Sequence, residues 1–155
     1  MKKHAANRST FIPFHPALSG WTGVLLVKAA DEIRNAFGDR LAALGIGTKH
    51  FGILFTLDRQ GAISQVELGQ HMRIDRAPMV QHIDLLEGLG LVERTNHPRD
   101  RRAHAILLTE KGRKVLAEAT EIARQIETEF FAPLSIEQHQ QLNSLLNQLM
   151  ASHFI

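Results

Sequence analysis

Residues 91–102 read Leu91-Val92-Glu93-Arg94-Thr95-Asn96-His97-Pro98-Arg99-Asp100-Arg101-Arg102. The run starts as a short segment in which apolar and polar residues alternate, and it ends in a loop dense in arginine. A second alternating segment follows at 103–108. Because this alternation has the period of a half-buried strand, the two segments predict a β-hairpin with a cationic tip.

Two helical patterns lie directly before this hairpin, at 64–72 and 76–89. Ser64 and Glu67 have the spacing of a capping box, so we expect the first helix to open at Ser64. Pro78 would fall in the first turn of the second helix, where a missing N–H costs little. The order helix, helix, strand, basic loop, strand is that of a winged helix-turn-helix, which places polar and cationic groups in the grooves of a DNA duplex.

Apolar spacing predicts which faces of these two helices point inward. Asp75 is the expected cap of the second helix, whose outward face would then lie toward DNA. The predicted inward residues are Val66, Leu68 and Met72 in the first helix and Met79, Ile83 and Leu86 in the second, and the predicted outward residues are Ala77, Gln81, Asp84 and Gly88.

Three further amphipathic patterns flank this core, one at 17–44 and two after residue 109. A winged helix does not need them, and their apolar stripes require a partner. We therefore expect 17–45 and 110–155 to form a homodimer, with 1–16 as a flexible arm and 46–109 as the DNA-binding domain. The alternative is that the terminal helices fold back on their own chain. The predicted fold class is mainly α (α+β), with a two-stranded β-wing.

Composition narrows the classes of function. The chain has 155 residues, a net charge of +2 and no cysteine. The absence of cysteine excludes a disulfide framework, a thiolate switch and a cysteine-ligated metal. The beginning of the chain lacks the apolar core of a signal peptide, and no apolar run reaches the ~18 residues that span a bilayer. We expect a cytoplasmic protein with no membrane partner.

Sequence motifs of enzymes and metal sites are missing. The chain has no glycine-rich phosphate loop, no Gly-x-Ser-x-Gly elbow and no His-Glu-x-x-His run, so we expect no catalysis and no cofactor. None of the nine histidines lies three or four residues from another. A metal site is therefore not expected, and a metal-responsive regulator remains an alternative.

The pattern resembles the multiple-antibiotic-resistance regulator (MarR) family of bacterial transcription factors. The resemblance spans about residues 17 to 153 and implies a dimer, usually a repressor, that a small ligand or an oxidation event releases from DNA. Without cysteine, the oxidation-sensing branch is excluded. The residues that carry the resemblance are Phe51-Gly52-Ile53-Leu54, Gln65-Val66-Glu67-Leu68, Ile74-Asp75-Arg76-Ala77, Leu86-Glu87, Gly90-Leu91-Val92-Glu93-Arg94, Pro98-Arg99-Asp100-Arg101-Arg102, Leu107-Leu108-Thr109 and Gly112.

The second helix of the helix-turn-helix departs from the family pattern. The family often has hydroxyl residues where this chain has Pro78 and Val80, and often arginine at the position of Gln81. Gln81 then becomes the expected base reader, since glutamine pairs bidentately with adenine.

Other DNA contacts are expected around this helix and on the wing. Asp100 would aim the wing by pairing with Arg102, because a carboxylate cannot itself bind phosphate. The full predicted DNA-binding set is Ser64, Gln65, Arg76, Ala77, Val80, Gln81, Arg99, Asp100, Arg101 and Arg102.

An effector cleft is the last expectation from the sequence. In the family that it resembles, the cleft lies between the dimerisation helices and the winged helix. The aromatic and polar residues expected there are Trp21, His50, Phe51 and Phe55, although aromatic side chains at helical spacing more often belong to a core. A small aromatic or phenolic acid would suit such a cleft. A ligand-independent or nucleoid-type DNA-binding protein is the alternative function.

Overall fold

The computed structural model describes residues 15–97 and 100–153. In these two ranges the chain forms six α-helices and a small sheet. The helices are α1 (Thr22–Leu41), α2 (Thr48–Gln60), α3 (Gln65–Met72), α4 (Arg76–Gly88), α5 (Glu110–Phe131) and α6 (Ile136–His153). The strands are β1 (Ile63–Ser64), β2 (Val92–His97) and β3 (Asp100–Leu108), and short 3-10 helices at Pro16–Leu18 and Ala42–Leu44 flank α1.

The three strands form one antiparallel sheet in the order β1-β3-β2. The predicted β-hairpin is confirmed, and β3 begins at Asp100, before the predicted segment at 103–108. Its register runs from Val92 opposite Leu108 to His97 opposite Asp100, with an irregularity after Asn96. Strand β1 is an addition to the predicted two-stranded wing, because two residues are too few to establish a period in sequence.

Side-chain caps fix the starts of α3 and α5. The Ser64 hydroxyl accepts a hydrogen bond from the Glu67 N–H at 3.2 Å, and the Glu67 carboxylate accepts from the Ser64 N–H at 2.9 Å. Thr109 caps α5 by accepting from the Gly112 N–H at 3.0 Å. The predicted capping box at Ser64 is therefore confirmed. Asp75 occupies the N-cap position of α4 as predicted, but its side chain makes no capping hydrogen bond.

The long helix predicted at 17–44 is shorter in the structure. Residues 16–18 form a 3-10 turn, and α1 begins only after the exposed Trp21. Gly20 lies at this break, and a glycine inside a helix costs roughly 1 kcal/mol relative to alanine. The exposed side chains of Leu18 and Trp21 gain no burial on this chain that would offset the cost.

Within the described residues, a hydrophobic core joins the helix-turn-helix to α1 and α5. Met79, Ile83 and Leu86 of α4 are fully buried in it, as predicted. Leu41 of α1 and Ala119 of α5 belong to the same cluster. The inward placement of Val66 is wrong, because its side chain is 63% exposed. The short helix α3 instead points Leu68 into the core, so that Val66, two residues earlier, faces away.

The glycine at position 112 allows α5 to approach the start of the wing. A Cβ atom built on Gly112 would lie 2.1 Å from the Leu91 carbonyl oxygen. That oxygen accepts hydrogen bonds from the backbone and the hydroxyl of Thr109, both at 3.1 Å. The contact therefore fixes α5, the end of the turn after α4 and the root of β2 against one another.

Among the described residues, no helix combines the length and the apolar character needed to cross a membrane.

Candidate nucleic-acid interface

The outward face of α4 carries the polar groups that could reach base edges. Gln81 and Arg76 are exposed, and Val80 is half-buried. Ala77 is exposed one turn before Gln81, on the same face of the helix. Since Met79 and Ile83 are anchored in the core, this face is held in a fixed orientation. It therefore has the placement that a recognition helix requires.

The start of α3 lies next to the sheet. Ser64 and Gln65 are both half-buried, and the Ser64 hydroxyl already serves as the helix cap. Ser64 also belongs to β1, which pairs it with Ala105 of β3. Any phosphate contact of Ser64 would have to share the hydroxyl with this cap, so its predicted DNA role stays a prediction.

The tip of the wing carries the predicted arginine cluster. Arg99 lies outside the described residues, and so do the side chains of Asp100, Arg101 and Arg102. The backbone at 100–102 belongs to strand β3. The predicted pairing of Asp100 with Arg102 and the predicted groove contacts of the three arginines remain predictions.

Arg94, at the root of the wing, faces the recognition helix. Its guanidinium donates to the Asp84 carboxylate at 2.5 Å and also to the Glu87 carboxylate. Its backbone N–H donates to Glu87 as well, at 3.3 Å. These contacts raise the pKa of Arg94, chiefly through the hydrogen bond to Asp84. The arginine-rich run at 94–102 therefore contributes one arginine that binds protein carboxylates.

The pairing of Arg94 was missed in the sequence analysis, which considered Asp84 only as a group near DNA. Asp84 and Glu87 are three residues apart and so share a face of α4. Their partner comes from a strand that follows the turn at Gly90, where φ is +72°. Two acids at helical spacing before such a turn, and one arginine in the next strand, are the signal that would have found it.

Two histidines form a second link to the recognition helix. His50 of α2 and His82 of α4 lie with Nε2 and Nδ1 3.0 Å apart. The other ring nitrogen of His50, Nδ1, accepts from the Gly47 N–H at 3.0 Å. Neutral His50 must therefore carry its proton on Nε2 and donate it to His82. His82 is therefore a half-buried, hydrogen-bonded histidine of α4.

Acid should weaken the protein through this histidine pair. Burial lowers the pKa of both rings. The neighbouring His82 lowers the pKa of His50 further, and Lys49 lowers the pKa of His82 further. The unfolded chain then binds more protons than the folded chain below the ordinary histidine pKa of ~6.5. Stability is therefore full above that value and falls as the pH drops through the lowered pKa values of the folded state.

We expect wild type to lose more unfolding free energy between pH ~7.5 and ~5.5 than a His50→Gln/His82→Gln variant. Urea unfolding at both pH values measures the difference. His71→Gln, which removes an exposed histidine of α3, is the matched control. An equal loss in wild type and in the double variant would contradict the prediction.

The residues predicted for an effector cleft are only partly brought together. The Phe51 ring lies 5.9 Å from the Phe55 ring and packs edge-on against Phe37 at 5.1 Å. His50 binds His82, as described above. Trp21 is 68% exposed just before α1, and among the described residues its ring does not pack against the rings of the other three. The cleft stays a prediction.

Groups that could hold a metal ion do not assemble in the described part of the chain. No cluster of three or more histidine, aspartate or glutamate side chains occurs there. His50 and His82 are thus a pair of ring nitrogens without a third ligand among those residues.

Comparison with known proteins was made on both sequence and structure. The family model described as "MarR family" matches residues 48–104. A solved structure described as the transcriptional repressor CouR bound to a 23-mer DNA duplex is 31% identical, with a TM-score of 0.79 over 88% of this chain and 97% of that one. The family model covers the helix-turn-helix and the wing as far as residue 104.

Two further relatives are described with DNA binding or with transcriptional regulation. Bordetella bronchiseptica BpsR, whose structure is described with regulation of its DNA binding by 6-hydroxynicotinic acid, is 28% identical, with a TM-score of 0.75 over 88% of this chain and 96% of that one. The Bacillus subtilis HTH-type transcriptional regulator YdgJ is 29% identical over 70% of this chain and 66% of that protein. With its exposed recognition helix and its β-wing, this chain belongs to the MarR family and is a DNA-binding transcriptional regulator.

Proposed function

We propose that this protein is a homodimeric repressor of a palindromic operator, which a small aromatic or phenolic acid releases from DNA. The observation that carries the DNA-binding part is the outward face of α4, where Gln81 and Arg76 are exposed beside an anchored apolar face. The wing follows directly after that helix. The relative bound to a 23-mer duplex and named a repressor supports the same reading.

The terminal helices supply the argument for a dimer. Large apolar side chains on them are exposed in the single chain: Leu25, Leu26 and Val27 on α1, and Ile136, Leu145, Leu149 and Met150 on α6. An exposed apolar surface of this kind normally marks an interface. A two-fold dimer would present two recognition helices to the two halves of a palindrome.

The ligand part rests on aromatic side chains of α2 and on one relative. The paired rings of Phe51 and Phe55 form an aromatic surface on α2, and Phe55 is exposed. BpsR, the 28% identical relative, is described with an aromatic acid that regulates its DNA binding. A fluorescence titration of the operator complex with hydroxylated aromatic acids tests this part separately, and release by none of them would remove it.

Selection from randomised duplexes tests the DNA-binding proposal. We expect wild type to select a palindrome, and Gln81→Ala to lose preference at one or two positions of each half-site at ~1–3 kcal/mol each, because its amide is the directional group on that face. The salt slope should stay nearly unchanged. Arg76→Ala should instead lower the slope by about one if it contacts phosphate.

The same selection separates the alternatives. A ligand-independent, nucleoid-type protein would bind without preference beyond its salt dependence. Unchanged preference for Gln81→Ala would move sequence readout to the wing or to DNA shape.

The oligomer should appear in sedimentation. At micromolar concentration we expect about twice the chain mass of 17.4 kDa. Leu149→Asp should shift the mass toward the monomer, because it places a charge on the exposed apolar face of α6. Leu85→Asp is the matched control, since Leu85 is similarly exposed but lies on α4. A wild-type monomer that binds an operator tightly would exclude the dimer.

A further inference from the structure

Arg94 makes hydrogen bonds to the recognition helix through both its side chain and its backbone. Its guanidinium binds Asp84 and Glu87, and its backbone N–H donates to Glu87. A guanidinium presents its N–H groups in a rigid planar fork that can hold two carboxylates in one geometry, whereas an ammonium group is a compact charge on a flexible stem. The side chain is 30% exposed, so it lies at the edge of the interface and is not sealed in the core.

The two carboxylates need this cation. They lie on one face of α4, and Glu87 is in the last turn, where a negative charge opposes the helix dipole. Gln81 lies one turn before Asp84. Without Arg94, two unpaired negative charges would remain on α4, with Asp84 one turn from the expected base reader, and would repel a phosphate backbone.

Arg94 is also part of the wing. It sits in β2 opposite the buried Ile106 of β3, three residues before the end of that strand. The strand continues to His97, opposite Asp100. One residue therefore ties the helix that reads the major groove to the hairpin that carries the arginine cluster.

We propose that Arg94 is a positioning residue for DNA binding, which sets the angle between α4 and the wing by clamping Asp84 and Glu87, so that both reach one DNA site together. The proposal rests on the proposed function and adds a residue that touches no DNA itself. Arg94→Lys distinguishes this role from a direct phosphate contact, because a phosphate contact would tolerate lysine and the clamp would not.

The test is a double-mutant cycle between Arg94→Lys and Arg102→Ala. The lysine keeps the net charge but lacks the planar fork that holds both carboxylates in one geometry. The probe is the duplex that wild type selects, and binding is measured by anisotropy across a range of salt. We expect Arg94→Lys to weaken binding about tenfold with an unchanged salt slope. Arg102→Ala should cost at least about threefold less in the Arg94→Lys background than in wild type.

A second variant reaches the same clamp from the other side. Asp84→Asn/Glu87→Gln keeps Arg94 and removes two negative charges, which simple electrostatics predicts will tighten binding. The clamp makes a separate prediction for the wing. In this background, as in the Arg94→Lys background, Arg102→Ala should cost less affinity than it does in wild type. Stoichiometric titration of each variant gives its active fraction, and a merely structural defect would lower that fraction without changing the coupling.

Three outcomes would overturn the proposal. The first is an equal cost of Arg102→Ala in all backgrounds. The second is wild-type affinity for Arg94→Lys together with a lowered salt slope for Arg94→Gln. That second result would make Arg94 a phosphate contact. The third is that wild type selects no duplex. In that case the proposed function fails first, and the proposal fails with it because helix and wing would have no site to share.

Discussion

Gly112→Ala should lower the free energy of unfolding by about 3 kcal/mol, the upper end of the range for overpacked sites. The new Cβ would lie 2.1 Å from the Leu91 carbonyl oxygen and 2.7 Å from Leu108 Cδ1. The first of these is a backbone atom and cannot rotate away. Helix α5 would have to move off the root of the wing, and the hydrogen bonds from Thr109 to Leu91 would be strained.

Two other glycines provide matched controls for this prediction. A Cβ at Gly52 would meet only the flexible end of Met72, with Cε at 2.7 Å, and a Cβ at Gly23 would meet nothing within 4 Å. We expect Gly52→Ala to cost little, and Gly23→Ala to stabilise α1 by up to about 1 kcal/mol. Urea unfolding at one fixed protein concentration measures all three variants. Similar stabilities for Gly112→Ala and Gly52→Ala would show that α5 does not pack on Leu91 in this way.

The second large effect concerns the wing. Arg102→Ala should weaken operator binding by ~1–3 kcal/mol if the arginine enters a groove, with a larger loss where the minor groove is A·T-rich. The reason is that a narrow minor groove concentrates negative potential. Titration against duplexes that differ only in the flanking A·T content measures the effect.

Asp100→Ala supplies the diagnostic sign for the wing. Removing a carboxylate near DNA should tighten binding if only net charge matters. We expect weaker binding instead, because Asp100 would no longer orient Arg102. Asp58→Ala is the control, since Asp58 pairs with Arg113 between α2 and α5 and is not part of the predicted interface. Tighter binding by the Asp100 variant would remove its positioning role.

The residues near the ends of the helices show why much of the fold could be predicted. The cap at Ser64 acts over three residues, and the two strands around the basic loop follow from a local alternating pattern. These signals depend on neighbours in sequence, and the structure confirms the cap and the hairpin. The buried face of α4 was predictable for the same reason, since its apolar residues repeat with the helical period. The functional class followed, because helix, helix and basic hairpin in this order leave few alternatives.

The tertiary structure alone decided which groups meet across elements. The sequence could not pair Arg94 with Asp84 and Glu87, because their contact depends on the turn at Gly90 and on the packing of β2 against α4. It could not join His50 to His82, which are thirty-two residues apart on different helices. It also placed Val66 on the wrong face, since a helix of two turns has too few positions for its period to be determined. Local hydrogen bonds and periodicity are properties of the chain, whereas distant contacts are fixed only when the whole core packs.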